Sequence, residues 1–179
     1  MLVDVGAHRG TIASRFAASD WKVYCFEPNP RMREQLRSHL GWRSNVIIDG
    51  RVLSSTDGDV LPFFTSKVSS GISTLPPFHE SHETTYSVET VRLSTITAEL
   101  SIERIDILKV DVEVHEREVF RGFTFKPRPC IIDANSRSLI RLEEWHEAGK
   151  PINWRKEMRS QIPTIAAALL RDTQGAMRS

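Results

Sequence analysis

The chain of 179 residues carries 24 Lys and Arg against 23 Asp and Glu, and a formal net charge of +1 gives no broad electrostatic attraction to nucleic acid or an anionic membrane. Its 40% apolar content suffices for one substantial core, which excludes fibrous and disordered classes and predicts a single domain over residues 1–179. No run of about 18 apolar residues and no basic-then-apolar leader pattern occurs, and Cys25 and Cys130 both sit in apolar runs, so a reduced, soluble, cytoplasmic protein is expected.

The first expected strand, Leu2–Val5, leads into a turn reading Gly6-Ala-His-Arg-Gly10, and a helix is predicted over residues 11–18 with Ile12 and Phe16 four apart. Such a turn gathers backbone N–H groups and a positive helix end at one point, suited to an anionic or oxygen-rich ligand, and glycine lets the ligand approach without a Cβ in the way. A dinucleotide fingerprint would need Gly-x-Gly-x-x-Gly, and a phosphate loop would need Gly-Lys-Ser/Thr; neither is present. The plain alternative is a tight strand-to-helix turn with no ligand.

The second expected strand, Val23–Phe26, ends in Glu27-Pro28, where a carboxylate can accept two hydrogen bonds from a ribose diol. Its alternative is a surface carboxylate before a proline turn. Asn29 as N-cap and Pro30 at the first helical position start a helix over 31–40 with Met32, Leu36 and Leu40 on one stripe. A third strand at 46–48 completes a strand, helix, strand, helix order. The expected fold class is therefore α/β, a Rossmann-like, doubly wound, mainly parallel twisted sheet flanked by helices.

In the middle third, Asp57-Gly58-Asp59 suggests a turn between residue 54 and a strand at 60–64, and 88–93 reads as another strand. The Ser-, Gly- and Pro-rich residues 69–82 read as a loop over the sheet edge and a candidate substrate lid. His79 and His82 stand three apart on this loop, not the four of a zinc-binding helix, so no metal site is expected. Ser94 is expected to cap a helix through residue 100, 105–110 to form the fourth strand, 115–121 a helix stopped by Gly122, and 130–132 the fifth strand with Asp133 at its end. Asp133 would bind substrate or simply form the turn before Asn135. The cofactor-binding core would thus span 1–135, and the tail 136–179 would be mostly helical, over 139–148 and 162–171.

The glycine turn and Glu27 together point to an adenosyl ligand without a pyrophosphate. S-adenosylmethionine fits, with its carboxylate at the helix start and its ribose at Glu27. Asp111, Glu113 and His115 follow the fourth strand, at the edge where open α/β sheets bind ligands. They share one face if the chain is still extended there, with Asp111 toward the cofactor or acceptor and Glu113 or His115 as base; as solvated residues at a helix start they would diverge. Lys109 would neutralise this acidic group or snorkel to the surface.

The segments VDVGAHRGT, VYCFEPNP, NVIIDGRVLSSTDGD, SSGISTL and IDILKVDVEVHEREVFRGF, in that order and spanning most of residues 2–133, resemble the FkbM-type methyltransferase family, a branch of the class I S-adenosylmethionine-dependent enzymes. The resemblance implies O-methylation of a hydroxyl on a sugar or secondary metabolite. It implies cofactor contacts at Asp4, Gly6, Gly10 and Glu27, with His8 and Pro28 beside them, a contribution from Val52 and Leu53 near the adenine, and an active-site role for Asp111 and Glu113. The family usually has Asn where His8 stands and Gly where Val114 stands; an imidazole could donate a hydrogen bond like that of Asn.

Family members also carry a helical segment before the first strand and two antiparallel strands after the fifth, neither of which is evident here. Three alternatives follow: a short form of the enzyme, a homodimer whose partner completes the site, or a non-catalytic adenosyl-binding relative. An NAD-dependent oxidoreductase shares the architecture but is disfavoured by the absent third glycine.

Overall fold

A computed structural model describes residues 1–66, 82–112, 115–124 and 131–134. Five strands, β1 (Leu2–Val5), β2 (Val23–Phe26), β3 (Val46–Asp49), β7 (Ile107–Val110) and β8 (Ile131–Ala134), form a parallel sheet in the order β3-β2-β1-β7-β8. The chain winds outward from β1 through β2 to β3 and later outward on the other side through β7 to β8. The reversal of winding lies between β1 and β7, which leaves a crevice at their carboxyl ends.

Both faces of the sheet are covered, which is why its central strands read as unbroken apolar runs. Val3, Val5, Tyr24, Phe26, Leu108 and Val110 pack on one side against Ile96 of α3 (Leu93–Glu99) and Val119 and Phe120 of α4 (Glu116–Arg121). Leu2, Val23, Cys25 and Ile107 face the other way, onto Ala13, Phe16 and Ala17 of α1 (Ala13–Ala17) and Leu36 and Leu40 of α2 (Pro30–Leu40). The edge strand β3 is only half buried, unlike the expectation of burial on both faces.

A second sheet has the order β4-β6-β5, with β4 (Val52–Leu53), β5 (Val60–Ser66) and β6 (His82–Val91). β5 and β6 run antiparallel, while β4 pairs with the far end of β6 in parallel. Leu53 and Val91 enter the core of the main sheet, so the two sheets share apolar contacts.

Several expected boundaries shift for identifiable reasons. The helix expected at 11–18 begins only at Ala13, because His8 and Gly10 take left-handed φ of 54° and 81° and the chain is still turning. The strand expected from residue 105 begins at Ile107: β1 starts at Leu2, opposite Ile107, so earlier residues have no ladder to join. The strand expected at 88–93 is β6, which ends at Val91, and Leu93 opens α3. Ser94 does not cap that helix; Arg92 occupies the cap position without a side-chain bond, and Ser94 Oγ donates to the Gly122 carbonyl at 3.0 Å. The fifth strand is shifted to Ile131–Ala134. By contrast α2 starts as expected, with Asn29 Oδ1 accepting from the Arg31 and Met32 amides at 3.0 and 3.3 Å.

The lid expected at 69–82 falls on residues outside those described, except His82, which begins β6. His79, Cys130 and the expected tail helices also lie outside them. No helix among the described residues is long and apolar enough to cross a membrane.

Candidate functional site

Three chain segments meet at the crevice beyond the strand ends. The turn after β1 is fastened to the end of β2 by the Gly6 and Ala7 amides, which both donate to the Phe26 carbonyl at 3.0 and 3.1 Å. The segment after β7 is fastened to β1 by the Asp111 amide, which donates to the Val5 carbonyl at 3.0 Å. A Cβ on Gly6, whose φ is 76°, would stand 2.1 Å from the Asp111 carbonyl oxygen, so glycine is required there by the close passage of two backbones.

Glu27 is the best-fixed side chain in this crevice. Its Oε2 accepts the His8 amide at 2.7 Å and its Oε1 the Asn29 amide at 2.9 Å, and the residue is buried. Burial raises its carboxyl above the usual range, the two amide bonds oppose that, and each oxygen keeps a lone pair for a further donor. Arg33 braces the same turn from α2, Nη1 donating to the carbonyls of Glu27 at 2.9 Å and Pro28 at 3.0 Å. Pro28 is half buried beside it.

His8 enters through its backbone: in the left-handed region that Asn tolerates well, its amide, rather than its imidazole, reaches Glu27. The imidazole is held below its usual pKa, chiefly by burial and secondly by Arg9 and Lys109, with Asp111 acting in the opposite direction.

Asp4 lies beneath the turn, wholly buried, and ion-pairs through Oδ1 with Lys109 Nζ at 2.7 Å. Lys109 Nζ also donates to the Gly6 carbonyl at 3.2 Å. The pair therefore holds the turn from below. Its Oδ2 is buried with no hydrogen-bond partner among the described residues. The register places Lys109 opposite Asp133 of β8.

At Gly10 the missing Cβ points at Leu36 Cδ1, 2.5 Å away, and Leu40 Cδ1, 3.0 Å away, so the glycine lets α2 pack closely. Val52 and Leu53, expected near an adenine, are buried in apolar clusters, Val52 with Phe63 and Val88 and Leu53 in the main core.

Of the group expected after the fourth strand, Asp111 and His115 lie among the described residues. Asp111 is half buried at the crevice beside Gly6. His115 stands 3.2 Å from Ser54 Oγ through Nε2, its pKa lowered by burial against a smaller opposing effect of Glu118, so that the imidazole ties α4 to the end of β4. Glu113 and Val114 lie outside the described residues. Among the described residues, Asp111 is the member of this group that stands beside Gly6 at the crevice. Sequence reasoning missed Asn29 as a donor to Glu27, and Arg33; an arginine one turn into a helix that begins at Asn-Pro was the available signal.

The crevice offers carboxylates from Glu27 and Asp111, which suits a ligand carrying positive charge and hydroxyl donors. The free lone pairs of Glu27 fit a vicinal diol, as an adenosyl group has.

Residues 4–161 match the family described as Methyltransferase FkbM domain. The chain is 30% identical over 125 residues, 69% of its length and 50% of the relative's, to hexuronic acid methyltransferase AglP of Haloferax volcanii. It is 29% identical over 141 residues, 68% of its length and 56% of the relative's, to 2-O-methyltransferase NoeI of Sinorhizobium fredii. The chain thus spans about half the length of the curated relatives it matches. No solved structure matches it.

Proposed function

The chain belongs to the FkbM methyltransferase family, and from that premise we propose that it moves a methyl group from S-adenosylmethionine to a hydroxyl oxygen of a sugar or a related small molecule. The observation that carries this reading is the Glu27 carboxylate, set at the end of β2 by the His8 and Asn29 amides with acceptor capacity to spare. The names of the two relatives, one a hexuronic acid methyltransferase and one a 2-O-methyltransferase, support a sugar-type acceptor.

When bound, S-adenosylmethionine supplies an electrophilic methyl carbon on a sulfonium. Glu27 binds the ribose diol. The Gly6 turn, locked by Asp4 and Lys109 below and Asp111 beside it, gives the rest of the ligand a fixed wall. Orientation of this kind supplies much of the acceleration of a displacement reaction, on the order of 7–11 kcal/mol in well-aligned systems. The Asp111 carboxylate would take the proton of the acceptor hydroxyl, readying its oxygen to receive the methyl group that the sulfonium would supply.

The test is transfer of label from S-[methyl-³H]adenosylmethionine to hexuronates and neutral hexosides, with Glu27→Ala alongside. Losing hydrogen bonds to a charged acceptor costs about 1.5–3 kcal/mol, so the variant should bind S-adenosylhomocysteine roughly 10- to 100-fold more weakly. Because the ionised carboxylate is the binding form and its pKa is raised, wild-type affinity should fall as pH drops through a point above the ordinary carboxylate range, and Glu27→Ala should flatten that dependence. Unchanged affinity in Glu27→Ala would contradict the assignment.

A further inference from the structure

The second sheet carries a buried polar group that the site described above does not use. Tyr86 of β6 stands opposite Phe63 of β5, and the rings stack with centroids 5.3 Å apart. Val52, Phe63 and Val88 form the buried cluster against which Tyr86 packs, so the ring has little freedom. That cluster adjoins the site: Val52 follows Gly50 by two residues, and the bare face of Gly50 lies against the Arg33 guanidinium that braces the Glu27 and Pro28 carbonyls.

The phenolic oxygen is buried and has no hydrogen-bond partner among the described residues. Buried tyrosine hydroxyls ordinarily find one, so the vacancy asks for an explanation. Burial raises the phenol's pKa and keeps it protonated, with Glu27 adding to that effect and Arg33 opposing it. A protonated phenol without a partner seeks an acceptor, which excludes a bare cation and calls for a ligand oxygen or nitrogen. Glu27, whose main-chain carbonyl the same Arg33 braces, keeps acceptor capacity of its own and is not bonded to Tyr86. A molecule with both hydroxyl donors and ring or hydroxyl acceptors satisfies the two together, and a nucleoside is such a molecule.

We propose that Tyr86 is a ligand-contacting residue of this site, its hydroxyl donating a hydrogen bond to the nucleoside half of the adenosyl ligand that Glu27 holds. The inference rests on the function proposed above and adds a contact from the second sheet, which makes β6 part of the binding surface.

The test is Tyr86→Phe in the full chain, followed by calorimetric titration with S-adenosylhomocysteine and with adenosine, and by thermal unfolding without ligand. One neutral hydrogen bond to ligand is expected to be worth about 3- to 10-fold in affinity for both probes, with an unliganded midpoint unchanged or raised because the variant no longer buries an unpaired hydroxyl. Wild-type binding that Tyr86→Phe leaves unaltered, or a loss for S-adenosylhomocysteine without one for adenosine, overturns the inference while leaving the proposed function standing. A marked fall of the unliganded midpoint would assign the hydroxyl to folding and overturn it too. Failure of the wild-type protein to bind either probe would overturn the proposed function, and this contact with it.

Discussion

Asp111→Asn is expected to lower methyl transfer by roughly 100- to 10,000-fold, the range a positioned general base contributes, with the KM for S-adenosylmethionine changed far less than kcat. Asparagine keeps the shape and hydrogen-bonding reach of the side chain but cannot take the acceptor's proton. The expectation follows from position. Asp111 sits where the winding of the sheet reverses, its carbonyl pressed against Gly6 and its side chain only half buried. His115, the alternative base among the described residues, is engaged with Ser54 Oγ at the end of β4. Single-turnover rates with a responsive acceptor provide the measurement; a variant within tenfold of wild type would move the base elsewhere in the chain.

Lys109→Met is expected to destabilise the fold by about 3–5 kcal/mol, the usual consequence of removing one partner of a buried ion pair. Asp4 would be left wholly buried with its charge uncompensated, its Oδ2 already having no partner among the described residues. The Gly6 carbonyl would lose its contact with Nζ at the same time. For a domain of this size that cost corresponds to a midpoint roughly 6–20 °C lower. The double variant Asp4→Leu with Lys109→Met should recover much of the loss, since apolar replacement of both partners removes the desolvation cost together with the attraction. Chemical denaturation of the three variants checks this. A double variant no more stable than Lys109→Met alone would show that the pair contributes through the shape of the turn and not through its charge balance.

The parts of this molecule that were legible in the sequence are those encoded by neighbouring residues. Asn29 and Pro30 mark the start of α2 by chemistry local to the helix end, and the apolar runs of β1 and β2 follow from burial on both sides. Glu27 stood out in the sequence because it closes one such run; what the sequence could not show is that the amides of His8 and Asn29 hold it. Asp4 and Lys109 are 105 residues apart, and their pairing is a product of β1 lying beside β7, which no local spacing reveals. Gly10 illustrates a different limit: its left-handed turn is readable from the glycine, but its close packing on Leu36 and Leu40 is not. His115 was drawn to a tertiary partner, Ser54, that its own neighbours do not predict. The second sheet depends on pairing of β4, β5 and β6 at long range, so the packing of Tyr86 on Val52, Phe63 and Val88 was equally hidden.

The most direct test of the site is thermal unfolding of the protein titrated with S-adenosylmethionine, S-adenosylhomocysteine and NAD. A site filled at 100 times its dissociation constant adds about 2.7 kcal/mol, which should raise the midpoint by roughly 5–10 °C for both adenosyl ligands, with NAD far weaker. Stabilisation by NAD alone, or by none of the three, would contradict the binding site described at the Gly6 turn and Glu27.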